Sequence, residues 1–267
     1  MSLPVRLPPS FHAKLWGSTE PGPWFPATGG KLGEVWFQAE PPLPILIKFL
    51  FTSESLSVQV HPPDRPGVPG KTEMWHVLRA APGATLGLGF LEPVGRDKLL
   101  ESALSGEILN LMQWFPVSAG ETYLVPAGTV HAIGPGVALC EIQQNSDVTY
   151  RLYDYGRDRE LHLSEALEVS EPVPHQGRCL PVVTGPGRSL LAHCPYFATE
   201  LLDLTGATHY RPDPEGFALL TAIGGCGAIG NQTFRAGEVW LVPAGGEAFE
   251  VRPAGYARLL RSWVPAR

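Results

Sequence analysis

The sequence predicts a mainly β fold, built as two related halves with only a few short helices. Three observations carry this. Gly 30 and Pro 28 in 267 residues demand many turns, which suits short strands better than long helices. The apolar runs between those turns are short and rich in β-branched and aromatic residues. One turn phrase also occurs twice: "AGETYLVPAGTVHAI" at 119–133 and "AGEVWLVPAGGEAFE" at 236–250.

In chain order, "LPILIKFLF", "LSVQVH", "MWHVL", "TYLVP", "VALCEIQ" and "VTYRLYDY" read as strands of the first half. "RDKLLESALSGEILNLMQWF", Arg96 to Phe115, has helical apolar spacing with a break near Gly106. A shorter helix is expected at Leu163 to Ser170, with Ser164 as its cap. "EPVPHQGRCLPVVTGPGRS", Glu171 to Ser189, is rich in Pro and Gly and marks the boundary between halves. The expected organisation is therefore 1–170, a linker 171–189, and 190–267.

Composition excludes several classes of function. With 44% hydrophobic and 17% charged residues the chain is globular. A net charge of −6 without a basic run offers no nucleic-acid footprint. No stretch approaches the ~18 apolar residues of a membrane span. The N-terminus lacks the apolar run of a signal peptide. Cys140, Cys179, Cys194 and Cys226 form no C-x-x-C pair, so reduced thiols and a cytoplasmic location are expected.

The two phrases share G-x5-P-x-G, as Gly120, Pro126, Gly128 and as Gly237, Pro243, Gly245. Each reads as a strand closed by a tight turn. Only the first continues to a histidine, His131; the second has Ala248. G-x5-P-x-G-x2-H resembles the second motif of the cupin superfamily of jelly-roll barrels, where the histidine is a metal ligand. The resemblance implies two cupin-like jelly-roll barrels in one chain, with metal kept in the first and lost from the second.

Polar residues recur inside the first half's strands. In "LSVQVHPPD", Ser57, Gln59 and His61 share one face, and Val58 and Val60 the other. In "GKTEMWHVL", Lys71, Glu73 and Trp75 share a face that His76 does not. In "EIQQNSDVTYRLYDYGR", the same period puts Asp147, Thr149, Arg151 and Tyr153 together. Two imidazoles and a carboxylate suit a divalent transition metal, and spacing nominates His61, Glu73 and His131. Gln59 is not nominated, because an amide oxygen is a weak ligand. Lys48, alone in an apolar run, either snorkels to the surface or points into a site.

"LIKFLFTSESLSVQVHPPD", "GKTEMWHVL", "VPAGTVHAIG" and "EIQQNSDVTYRLYDYGR" resemble, in order, the signature segments of type I mannose-6-phosphate isomerases. "KLWG" at 14–17 and "GEVW" at 33–36 look like that family's N-terminal landmarks. The length resembles the short prokaryotic form. "VHPPD", for the commoner "VHPDD", and His76, for a common tyrosine, depart from the pattern without removing a ligand. The resemblance implies one zinc ion per chain on Gln59, His61, Glu73 and His131. It also implies a reacting centre of Lys71, Asp147 and Arg151, and phosphate contacts at Lys48 and Ser57. The implied reaction interconverts mannose 6-phosphate and fructose 6-phosphate through an enediol, with a small-molecule substrate as the partner. Two other classes compete. A metal-dependent cupin oxygenase would use the two histidines and carboxylate as a facial triad, which a fourth ligand at Gln59 opposes. A sugar-phosphate-binding cupin without activity would have no use for Lys71, Asp147 and Arg151 together.

Overall fold

The computed structural model describes residues 3–266. The first half runs β1 (Val5–Arg6), β2 (Pro9–Ser18), β3 (Leu32–Phe37), β4 (Ile45–Phe51), β5 (Val58–Val60), β6 (Glu73–Ala80) and β7 (Thr85–Phe90). It continues with α1 (Arg96–Ser105), α2 (Ile108–Leu111), β8 (Met112–Pro116), β9 (Thr122–Val125), β10 (His131–Ile133), β11 (Val137–Gln144), β12 (Tyr150–Tyr153) and α3 (Leu163–Val169). The second half comprises β13 (Val182–Gly185), β14 (Arg188–His193), β15 (Ala198–Leu204), β16 (Thr208–Tyr210), β17 (Ala218–Ile229), β18 (Gln232–Arg235), β19 (Val239–Val242) and β20 (Phe249–Trp263). The fold is mainly β, as the turn-rich composition requires.

Two sheets face each other in the first half, one ordered β12-β5-β10-β7-β8 and the other β2-β3-β4-β11-β6-β9. Between them pack Trp75, Val77 and Leu139 from the larger sheet and Leu86, Leu88 and Ile133 from the smaller. The helices cover the smaller sheet's outer face. There Leu99, Ile108 and Ala166 meet Val58, Val60 and Ala132. The outer face of the larger sheet carries Ile47, Phe49, Cys140 and Ile142, which bury against Leu191, Phe197, Leu219 and Leu260 of the second half. Both faces of β4 are thus covered, which explains its continuous apolar run and leaves Lys48 as its lone charge.

The second half is one sheet ordered β1-β19-β17-β20-β15-β14-β13, with β16 on β20 and β18 on β17. The long pair β17 and β20 bends at two register shifts, Ala222/Gly224 and Gly225/Gly227. A Cβ at Gly225 or Gly227 would sit 2.1 Å from a backbone oxygen of β20, so only glycine fits there. The repeated turn has one backbone shape in both copies. Gly120 and Gly237 have φ of 92° and 91°, and Gly128 and Gly245 have 88° and 61°, which favours glycine.

Several local expectations change. The helix expected to reach Phe115 ends at Gly106, which takes φ 82°. After the single turn of α2, residues 112–116 form a strand paired to β7, Phe90 with Met112 and Gly87 with Trp114. Sheet pairing overrode the helical spacing of those apolar residues. Ser164 lies inside α3; His162 holds the N-cap position, with no side-chain cap bond. Within the segment 171–189, Val182–Gly185 forms β13, which pairs with β14. The N-terminal β1 joins the second half's sheet through Val5 and Leu241. Among the described residues, no helix is long and apolar enough to cross a membrane.

Candidate metal centre and substrate cleft

His61, Glu73 and His131 come together from three places: the end of β5, the start of β6 and the start of β10. Their ligand atoms lie within 4.8 Å of one another, and all three residues are buried. Strand parity produces this. Val58 and Val60 face the helices, so Gln59 points between the sheets, opposite His131 in the ladder. The Gly128 turn delivers His131 to the same level.

Both imidazoles are oriented by backbone. His61 Nδ1 donates to Val148 O at 2.8 Å, and His131 Nδ1 donates to Thr129 O at 2.8 Å. A carbonyl can only accept, so each Nδ1 carries the proton and each neutral ring turns its Nε2 lone pair inward. Those Nε2 atoms lie 3.5 and 3.6 Å from Glu73 oxygens. Burial keeps the rings neutral: it lowers His61 well below the ordinary value, and lowers His131 to about 4. Two inward lone pairs and a carboxylate fit a divalent ion with nitrogen and oxygen preference. Among the described residues, this is the one group of three or more His, Cys, Asp or Glu side chains with such geometry.

Gln59 lies beside this group with its amide nitrogen 3.3 Å from His131 Nε2, while its oxygen accepts from Ser57 Oγ at 3.1 Å. A half-turn of the amide exchanges the two atoms and would present the oxygen to the donors, as the resemblance implies. Lys71 lies 3.0 Å from His61 Nε2 and pairs with Glu73. Burial alone would lower its pKa, but Glu73 and Glu141 hold it above the ordinary value.

The group opens into a cleft of ≈ 230 Å³. Gln59, Lys71, Glu73, Lys48, Ser57, Asp147 and Arg151 all line it. His76 is on the opposite face, as expected, and bonds Thr122 at 2.9 Å. Lys48 does not snorkel. It is 3% exposed, 3.8 Å from Glu141, 3.9 Å from Asp147 and 4.0 Å from the Trp36 ring centre. Burial lowers its pKa, partly offset by Glu141.

The face expected to gather Asp147, Thr149, Arg151 and Tyr153 is corrected at two of its residues. Asp147 does not hold Arg151: its ion pair is with Lys48, and the Arg151 side chain makes no ion pair or hydrogen bond among the described residues. Its Nε is buried without a partner. Asp147 precedes β12, which starts at Tyr150, so strand alternation does not govern it. A register shift between Arg151 and Tyr153 turns Tyr153 toward the helix side, where it packs beside Leu152 and Gly106.

Sequence reasoning assigned no role to Glu141. It sits on β11 opposite Lys48 and Trp75 and accepts from Trp75 Nε1 at 3.0 Å. Like Lys48, Glu141 is a charge in a largely apolar strand run, "VALCEI", and that pattern marks it in the sequence. Lys14, Glu34, Arg159 and His162 also line the cleft. Arg159 is held by a two-pronged pair with Asp154, both contacts 2.6 Å.

The fold and site define a double-sheet β protein with a buried donor group suited to a divalent metal and a charged cleft over that group. No family model matches the chain. It is 34% identical to a mannose-6-phosphate isomerase of Bacillus subtilis, over 82% of this chain and 74% of that one. Its structure is similar to that of a mannose 6-phosphate isomerase from Bacillus subtilis, with TM-score 0.87 at 25% identity, covering 98% of this chain and 99% of the other. It also shares the fold of a zinc-bound mannose 6-phosphate isomerase, with TM-score 0.79 at 18% identity over 99% and 100% of the two chains. The chain belongs to the mannose-6-phosphate isomerase family.

Proposed function

We propose that this protein interconverts mannose 6-phosphate and fructose 6-phosphate by moving a proton between C1 and C2 of the open-chain sugar. The observation that carries this is the His61, Glu73 and His131 donor group, opening into a cleft lined by Lys71, Glu141, Asp147 and Arg151, in a member of this family. His61, Glu73 and His131, with Gln59 as fourth donor, would hold zinc. A zinc ion there supplies Lewis-acid polarisation of the sugar's carbonyl end.

The chain's own groups do the rest. Arg151 brings a guanidinium with no partner among the described residues, suited to an oxyanion as the enediolate forms. Lys71, beside the donor group, and Asp147, at the cleft's open side, are the proposed proton-handling groups. Lys48 and Ser57 contact the substrate on its phosphate side. Buried Trp75 and Leu50 wall the cleft and limit water at the reacting carbons. Residues 190–267 serve as a metal-free scaffold whose turn carries Ala248 in place of the histidine. The free state of Cys140, Cys179, Cys194 and Cys226 supports a cytoplasmic place of action.

The test is a coupled isomerase assay on mannose 6-phosphate, before and after chelation. Activity that falls with chelation and returns with zinc is expected. A metal-replete protein that leaves mannose 6-phosphate unchanged would refute the reading.

A further inference from the structure

The two landmarks "KLWG" and "GEVW" have no part in the chemistry above, yet the fold brings Lys14, Trp16 and Glu34 from them to the cleft wall. They lie on β2 and β3, which pair from Pro9 with Phe37 to His12 with Glu34 before the register breaks across residues 14–17, and β3 pairs with β4 so that Trp36 opposes Lys48 and Glu34 opposes Leu50. Partners across an antiparallel ladder share a face. Glu34 therefore faces the same interior as Lys48 and Leu50, and with Lys14 and Trp16 it lines the cleft.

The local geometry is built to fix one carboxylate. Glu34 Oε2 accepts from Trp36 Nε1 at 2.8 Å and lies 3.3 Å from Lys14 Nζ. Its side chain is only 13% exposed, and Oε1 accepts no hydrogen bond among the described residues. Lys14 reaches Glu34 by crossing directly over Gly33, where a Cβ would lie 2.3 Å from Lys14 Cγ. The glycine of "GEVW" is thus the floor on which the lysine of "KLWG" rests. Oε2 is anchored by one hydrogen bond and one ion pair, and Oε1 is left to a ligand. A carboxylate oxygen that is oriented on a cleft wall and not itself sealed from solvent accepts a charge-assisted hydrogen bond from a ligand's donor.

A sugar hydroxyl is such a donor, whereas a phosphate has none to give at neutral pH. Resting on the isomerase reading, with C1 and C2 at the donor group and phosphate on C6, we infer that Glu34, clamped by Lys14, reads a hydroxyl on C3 or C4 of the substrate. Glu34 is a specificity residue: it selects hexose phosphates carrying that hydroxyl and takes no proton in the reaction.

The experiment compares wild type, Glu34→Ala and Glu34→Gln on mannose 6-phosphate and its 3-deoxy and 4-deoxy analogues, with metal content and thermal midpoint recorded. Losing a hydrogen bond to a charged group should raise KM for the parent sugar about 10–100-fold in Glu34→Ala, with kcat much less affected. Glu34→Gln, which keeps shape and one acceptor, should show a smaller rise. For one of the two analogues, wild type and both variants should have nearly equal KM. An equal variant effect on all three sugars, no effect on any, or a loss of metal or thermal stability that accounts for the change would overturn the inference. If wild type with metal bound leaves mannose 6-phosphate unconverted, the isomerase reading itself has failed, a separate result from these.

Discussion

At the residue scale, the site is a matter of which atoms are already satisfied. Among the described residues, Arg151 has a guanidinium free of hydrogen-bond and ion-pair partners and a buried Nε without one, while its backbone is tied to His162 through N to Nδ1 at 3.2 Å and O to N at 2.8 Å. A fixed main chain bearing an unpaired cation is suited to a charge that develops late. Arg151→Ala should therefore lower kcat about 10²–10³-fold with little change in KM; steady-state kinetics that show mainly a raised KM would move it to ground-state binding. Lys48 is the contrasting case, because Glu141 and Asp147 hold it in place. Lys48→Met should raise KM about 10-fold or more with kcat less affected, measured on protein whose fold and metal content are checked. His61, Glu73 and His131 were legible in the sequence because strand period decides which side chains converge. The Asp147 contact was not, because a residue in the loop before β12 obeys no period. Glu141 was legible in principle, as a charge in the strand "VALCEIQ", and its place beside Lys48 needed only the pairing of β4 with β11.

At the element scale, β6 carries both the donor Glu73 and, on its opposite face, His76. The His76 ring is buried between the halves, bonded to Thr122, and its pKa is lowered to about 4 by burial, with Arg258 opposing protonation. The unfolded chain, with an ordinary value of 6.5, takes up this proton first. Stability from His76 is therefore complete above about pH 6.5 and is lost as pH falls toward 4, by up to about 3 kcal/mol. Denaturant titrations of wild type and His76→Gln at several pH values should converge as pH falls; parallel curves would contradict the assignment. Strand and helix existence was readable from period and turn chemistry. The misread element was the segment after Gly106, since Met112, Trp114 and Phe115 satisfy a helical spacing and a short strand equally. Only the partner strand β7 decides between them.

At the scale of the whole molecule, the three grouped donors among the described residues all come from the first half, yet the two halves share a core. Ile47, Phe49 and Ile142 share one core with Phe197, Leu219 and Leu260, and β1 crosses over to join the second sheet. Residues 1–189 expressed alone should lack a cooperative thermal transition, because that apolar face would be exposed to water; a sharp two-state unfolding of this fragment would show that the halves are independent. The repeated turn pointed to a two-part plan in the sequence. The shared core was not visible, because an apolar strand buried on both faces reads the same whether its second cover is a helix or another sheet. The central claim is that one metal site, built on His61, Glu73 and His131, carries the isomerase activity. Its most direct test is zinc content per chain together with mannose 6-phosphate isomerase activity, in wild type and in His131→Ala. The account predicts one zinc and full activity in the wild type, with neither in the variant; a variant that keeps its zinc, or stays active without metal, would contradict it.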